Sequence, residues 1–204
     1  MPTFDLESSH AGLVVGVDEV GRGPLAGPVV AAAVVFHTYD VPIQVLSLIK
    51  DSKVLSSPQR LRAMQALAPY VSVGLGAASR GMIDQINILR ASLLAMQRAV
   101  ASLARRHGPF HHILVDGSHC PSLPCPATAV VKGDSLSFSI AAASIFAKET
   151  RDALMTRLAA RYPHFSWENN AGYGTGAHLR GLEAVGITPH HRLSFRPVAL
   201  RKGA

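Results

Sequence analysis

A chain of 204 residues, 48% hydrophobic and 16% charged, carries enough apolar side chains to bury a core, which excludes global disorder and fits one domain with at most a small appendage. Lys and Arg number 20 against 13 Asp and Glu, a net charge of +7 that favours polyanionic partners. The 6% of aromatic residues argues against wide stacking platforms for single strands, and no uncharged apolar run is long enough to cross a bilayer as a helix.

The N-terminus lacks a basic region followed by an apolar stretch, so no secretory signal is expected and a soluble, cytoplasmic protein is. Residues 13–17 form a short apolar run ending in Asp18 and Glu19, and residues 29–36 form a second, rich in Val and Ala. The Gly- and Pro-rich segment 21–28 between them predicts two strands around a turn. Ser57-Pro58 reads as a helix N-cap followed by a first-turn proline, and residues 71–75 as a third strand. Ile86, Leu89, Leu93, Met96, Val100 and Leu103 alternate steps of three and four, the stripe of an amphipathic helix that Arg105, Arg106, His107 and Gly108 end.

Residues 113–115 run as a strand into Asp116-Gly117. Cys120 and Cys125 follow without a CxxC spacing, so a reduced loop is expected rather than a zinc site. Residues 128–131 run as a strand into Lys132-Gly133-Asp134, and a helix over 139–160 follows whose Ala141-Ala142-Ala143 stretch suits close packing on a sheet. One more helix is predicted over 177–185. Strands interleaved with helices make an α/β fold, a mixed sheet with helices on its faces, in which the first two strands are antiparallel.

Asp18-Glu19, Asp116 and Asp134 each follow a strand, and strand ends that are neighbours in a sheet gather their side chains at one edge. Carboxylates so gathered repel unless a cation compensates, and hard oxygen ligands suit Mg²⁺ or Mn²⁺. Two such ions about 4 Å apart can activate a water and stabilise the leaving oxygen of a phosphodiester. Any one acid alone fits a turn or a cap. Asp18 beside Glu19 is harder to dismiss, because adjacent strand side chains face opposite ways and one of them must reach the site from a distorted backbone.

Five segments in order resemble the ribonuclease HII family across most of the chain: Gly16-Val17-Asp18-Glu19-Val20-Gly21-Arg22-Gly23-Pro24, Asp51-Ser52-Lys53 with Leu55-Ser56, Leu114-Val115-Asp116-Gly117, Lys132-Gly133-Asp134 with residues 140–145, 147–148 and 150–152, and Gly172-Tyr173-Gly174-Thr175 with His178, His191, Arg192, Ser194 and Phe195. The resemblance implies a ribonuclease H-like catalytic domain over 1–161 and a C-terminal helical extension over 162–204 packed on it as one structural unit. It implies an endonuclease that hydrolyses the RNA strand of RNA–DNA hybrids, and DNA duplexes containing even a single ribonucleotide, leaving a 5′-phosphate and a 3′-hydroxyl. Carried over by position, Asp18, Glu19, Asp116 and Asp134 are the catalytic carboxylates, with Asp18, Glu19 and Asp116 as the metal ligands for Mn²⁺ or Mg²⁺. Gly21, Arg22 and Gly23 match the segment that reads the ribose 2′-hydroxyl, a group that separates RNA from DNA. Tyr173 matches the tyrosine that stacks on the sugar at the junction, and Lys53 is a candidate substrate contact. Arg22 between glycines distinguishes this family from its sister, ribonuclease HIII. No membrane partner is expected, and a monomer is.

Asp152 is the rival to Asp134 as fourth carboxylate, although with Lys148 it also has the spacing of a helical ion pair. His178, His190 and His191 are candidate acid–base groups among 10 histidines, most of which must be structural. Arg180, Arg192, Arg196, Arg201 and Lys202 form either a basic surface for the duplex or a solvated tail. The alternative function is a non-catalytic nucleic-acid-binding relative. A third is a hydrolase of small phosphoesters, which would be insensitive to salt where duplex binding is not.

Overall fold

The computed structural model describes residues 2–49, 52 and 54–201, so Lys53 and Lys202 lie outside the described residues. In chain order the elements are α1 (Asp5–Ser8), β1 (Val14–Val20), β2 (Val29–Phe36), α2 (Ile43–Leu46), α3 (Ser57–Leu67), β3 (Val71–Ala78), α4 (Arg80–Ile86), α5 (Ile88–Ala104), β4 (His112–Asp116), β5 (Ala127–Val130), α6 (Phe138–Arg161), α7 (Trp167–Asn170), α8 (Gly176–Val185) and α9 (Arg196–Ala199). Among them no helix is long and apolar enough to cross a membrane.

The strands form one mixed sheet in the order β3-β2-β1-β4-β5. β1 to β2 and β2 to β3 are antiparallel, whereas β1 to β4 and β4 to β5 are parallel. β2 is an unbroken apolar run buried along its whole length, as a strand covered on both faces must be. Its odd-numbered residues, with Val15, Val17, Ile113 and Val115, pack under the stripe of α5. Its even-numbered residues pack against α6 and α3, where Ala141, Ala142 and Ala143 are shielded from solvent.

Helix α6 lies directly on β1 because position 16 is glycine: a Cβ there would overlap the backbone of Ser139 and Ile140. The start of α6 is fixed by Ser137, whose hydroxyl accepts the Ile140 N–H, and by the buried carboxylate of Glu7. Glu7 Oε1 accepts from the Ser137 hydroxyl, the Ser139 N–H and the Ser139 hydroxyl at 2.7–2.8 Å. A negative group there also complements the positive end of the helix dipole.

Several predicted boundaries move, and the third strand runs on to Ala78 rather than Leu75. The stripe expected to begin at Ile86 is interrupted at Asn87, whose φ of +65° stops α4. Its side chain then caps α5 by accepting the Arg90 N–H at 3.1 Å. The N-cap of α3 is Ser56 rather than Ser57, and its N–H donates to Gln59 Oε1 at 2.8 Å.

Beyond α6 the chain folds back over that helix's C-terminal half. Phe165, Trp167, Leu182 and Val198 share a buried cluster with Met155 and Ala159, and also with Leu25 and Ala26 from the β1–β2 connection. The C-terminal segment is thereby built into the same core as the turn that leaves β1.

Candidate active site

β1 and β4 run side by side in parallel, in register from Val14 with His112 to Val17 with Val115. One residue further on stand Asp18 and Asp116. Strand alternation puts both on the α6 side, with Gly16 and Leu114. Glu19, one residue on, belongs by parity to the α5 side and sits where β1 runs out. It borders both a cavity of about 390 Å³ shared with Asp18, Gly21, Arg22, Gly23, Ser52, Asp116, Ser144, Lys148 and Tyr173, and a smaller cleft beneath α5 that includes Ser92, Met96 and Asp116. Roomier clefts elsewhere, beside Arg105–Phe110 and between α4 and Phe195, gather at most one carboxylate each.

The three acids are electrostatically frustrated. Asp18 is 6% exposed. Burial, then repulsion from Glu19 and Asp116, holds its carboxyl well above the usual carboxylate range. The Glu19 N–H, at 2.7 Å, and the Ser144 hydroxyl offset only part of this. Burial also raises Glu19, with Asp116 adding to it and the Arg22 guanidinium opposing it through a 3.3 Å ion pair. Asp116 Oδ1 accepts the Gly133 N–H at 2.7 Å, which ties the end of β4 to the turn after β5.

An all-oxygen donor set with surplus negative charge suits a hard divalent cation. Among the described residues no three His, Cys, Asp or Glu side chains form a closed ligand set as they stand. Glu19 Oε1 is shared with the Arg22 guanidinium at 3.3 Å.

The other rim of the cavity is the turn leaving β1. Gly21 has φ +94°, and a Cβ there would overlap the Arg151 guanidinium, so position 21 requires glycine on two counts. A Cβ on Gly23 would stand 3.2 Å from the ring of Tyr173, which brings the two predicted ribose-contacting elements together. Asn170 shapes the Tyr173 loop. Its amide donates to Phe165 O at 2.7 Å and Thr175 Oγ1 at 3.1 Å, and its carbonyl accepts the Gly172 N–H at 2.9 Å.

Ser52 and Ser144, hydrogen-bonded at 2.5 Å, also line the cavity, each from a segment that carries the resemblance. Asp134 falls on a 3-10 turn, is half-buried, and does not line the cavity, although its neighbour Gly133 binds Asp116. Asp152 is committed to two ion pairs, 2.8 Å to Lys148 and 2.7 Å to Arg60. Lys148 reaches the cavity wall from that pair.

His178 and His191 do not line the cavity. The Thr188 N–H donates to His191 Nδ1 at 2.9 Å, so the His191 proton lies on Nε2 and is donated to His178 Nε2 at 2.9 Å. Trp167 Nε1 donates to the same nitrogen at 3.2 Å, which leaves His178 Nδ1–H to donate to Tyr173 O at 2.9 Å. Burial lowers His178 and pulls His191 down to about 4, so both are neutral near pH 7 and hold the Tyr173 loop. Arg192, expected on a basic surface or tail, is instead fully buried, because its guanidinium finds three backbone carbonyls. Arg180 and Arg196 are exposed.

The sequence model of ribonuclease HII matches residues 15–198. The chain is 53% identical over 201 residues to ribonuclease HII of Gluconobacter oxydans, covering 97% of this chain and 95% of that one. It is 56% identical over 200 residues to ribonuclease HII of Rhodospirillum rubrum, covering 97% and 90%. Its structure is similar to the crystal structure of ribonuclease H2 from Pyrococcus horikoshii, with a TM-score of 0.78 and 25% identity over 94% of this chain and 97% of that one. With carboxylates converging where β1 and β4 end, a glycine-flanked arginine on the rim and kinship along nearly the whole chain, the protein belongs to the ribonuclease HII family, endonucleases that act on RNA–DNA hybrids.

Proposed function

We propose that the chain cleaves RNA–DNA hybrids, and DNA duplexes carrying a single ribonucleotide, at this cavity, by two-metal-ion hydrolysis leaving a 5′-phosphate and a 3′-hydroxyl. The observation that carries the reading is one cavity joining Asp18, Glu19 and Asp116 to Gly21, Arg22, Gly23 and Tyr173.

Asp18, Glu19 and Asp116 would hold Mn²⁺ or Mg²⁺. Bound divalent cations supply a water of lowered pKa and neutralise charge on the phosphodiester. The protein's own groups do the rest. Asp18 is kept in place by the Glu19 N–H and the Ser144 hydroxyl, and Asp116 by the Gly133 N–H. The family resemblance assigns Asp134 as the fourth carboxylate; it stands outside the cavity, next to Gly133, whose N–H binds Asp116, while Asp152 is paired with Arg60 and Lys148. Arg22, 52% exposed and paired with Glu19, would lie within the cavity to meet the substrate backbone. Gly21, Arg22 and Gly23 let the backbone approach the ribose, where the 2′-hydroxyl offers a donor and an acceptor. Tyr173, 46% exposed beside Gly23, presents its ring to the neighbouring sugar.

The test is a DNA duplex with one ribonucleotide, its all-DNA counterpart and a long RNA–DNA hybrid, each with Mg²⁺, Mn²⁺ or chelator. Scission confined to the two RNA-containing substrates, absent in chelator, is expected. Equal scission of the all-DNA duplex, or none of any substrate by folded protein, refutes the reading.

A further inference from the structure

We propose that Arg192 is a positioning residue for ribose recognition, holding residues 21–23 from behind so that consecutive backbone N–H groups are presented to the substrate. The proposal rests on the reading that residues 21–23 meet the ribose. Arg192 is fully buried in the C-terminal segment, some 170 residues along the chain from the turn it grips. Its Nη2 donates to Gly21 O at 2.6 Å, Nη1 to Arg22 O at 2.8 Å and Nε to Gly27 O at 3.0 Å. The planar fork of a guanidinium suits such simultaneous donation, and an ammonium does not reproduce it.

The two grips on Gly21 and Arg22 have a stereochemical consequence. The peptide unit is planar, and the only cis bond among the described residues is Gly108–Pro109. In a trans unit the N–H points opposite to its C=O. With the carbonyls of Gly21 and Arg22 turned toward Arg192, the N–H groups of Arg22 and Gly23 are turned away from it. Two successive donors of this kind suit the lone pairs of a ribose hydroxyl.

Arg192 is itself held from both sides. Its N–H donates to Leu25 O at 2.8 Å. Asp84 on α4 fixes the next two residues, accepting the Leu193 N–H at 3.0 Å, the Ser194 N–H at 2.8 Å and the Ser194 hydroxyl at 2.7 Å. The Arg192 guanidinium also stacks 5.1 Å from the centre of the Phe195 ring. Arg151 braces the other end of the turn through Ala26 O and Pro28 O.

Two variants test the proposal, with cleavage of the one-ribonucleotide duplex and substrate-free Mn²⁺ binding by calorimetry as paired readouts. Arg192→Lys keeps a cation but loses the fork. Its kcat/KM is expected to fall by roughly ten- to a hundredfold, the scale of a small misplacement away from the chemistry, with Mn²⁺ affinity unchanged. Should this variant not fold, Asp84→Ala decides, because it loosens residues 193–194 while leaving the guanidinium in the core. It is expected to show the same split with a smaller loss. Undiminished kcat/KM in the folded variants, or a loss matched by an equal loss of Mn²⁺ affinity, overturns the proposal. A wild-type chain that cuts the all-DNA duplex equally well refutes instead the reading on which it rests.

Discussion

The Asp18→Asn variant should melt at a higher temperature than the wild-type chain in the absence of divalent ions, yet lose hybrid cleavage by about a thousandfold in their presence. Both effects have one origin. Asp18 is buried against Glu19 and Asp116 with too little compensating charge. An amide keeps an oxygen for the Glu19 N–H and removes the repulsion. A gain of about 1 kcal/mol would move the midpoint by about 2–4 °C in a chain of this size. The pH dependence follows from the raised carboxyl. The folded chain holds this proton more tightly than the unfolded one, so wild-type stability falls as pH rises from the ordinary value of 3.8 through the raised folded value, and stays lowered above it. The variant should lack that slope. Melting curves from pH 4 to 8 with and without Mn²⁺ check it. A variant less stable than wild type without ions, or one still active, contradicts the role given to Asp18.

Arg60→Ala should cost about 3–5 kcal/mol, the penalty for stripping one partner from a buried charged network. Arg60 on α3 is 5% exposed and donates to Glu149 Oε2 at 3.0 Å, Asp152 Oδ2 at 2.7 Å and Leu55 O at 2.7 Å. Its removal leaves Glu149, 8% exposed, with the Ser57 hydroxyl at 2.8 Å and no adjacent cation from α3. It also removes the bond to Ser52 O, and Ser52 is bonded to Ser144 on the cavity wall, so weaker substrate binding should accompany the lost stability. Urea denaturation measures the first effect and KM the second. A loss below about 1 kcal/mol would mean that water already satisfies this network.

The strands and the main helices were legible because burial imposes period: an unbroken apolar run for β2, a three-four stripe for α5. The end of that stripe misled because Ile86 stands in phase with it, whereas a left-handed residue such as Asn87 leaves no mark on hydrophobic spacing. Asp18, Glu19 and Asp116 were legible as acids at strand ends. That β1 and β4 are parallel neighbours, which is what brings two of them together, is a matter of chain topology and not of either strand's sequence. Spacing does not separate Arg192 from the surface arginines, because arginine is rarely buried and its partners here are carbonyls, which every residue has. The neutral His178–His191 pair was hidden for a similar reason, since a histidine's partners and not its spacing decide whether it titrates.

The most direct measurement is the cleavage rate of a labelled RNA–DNA hybrid against Mn²⁺ concentration, for the wild-type chain and Asp116→Asn. Joint capture of cations by acids from β1 and β4 predicts a wild-type rate that starts at zero in chelator and climbs to saturation, and a variant that stays flat over the same range. Undiminished wild-type scission in chelator, or a variant that follows the wild-type curve, would contradict it.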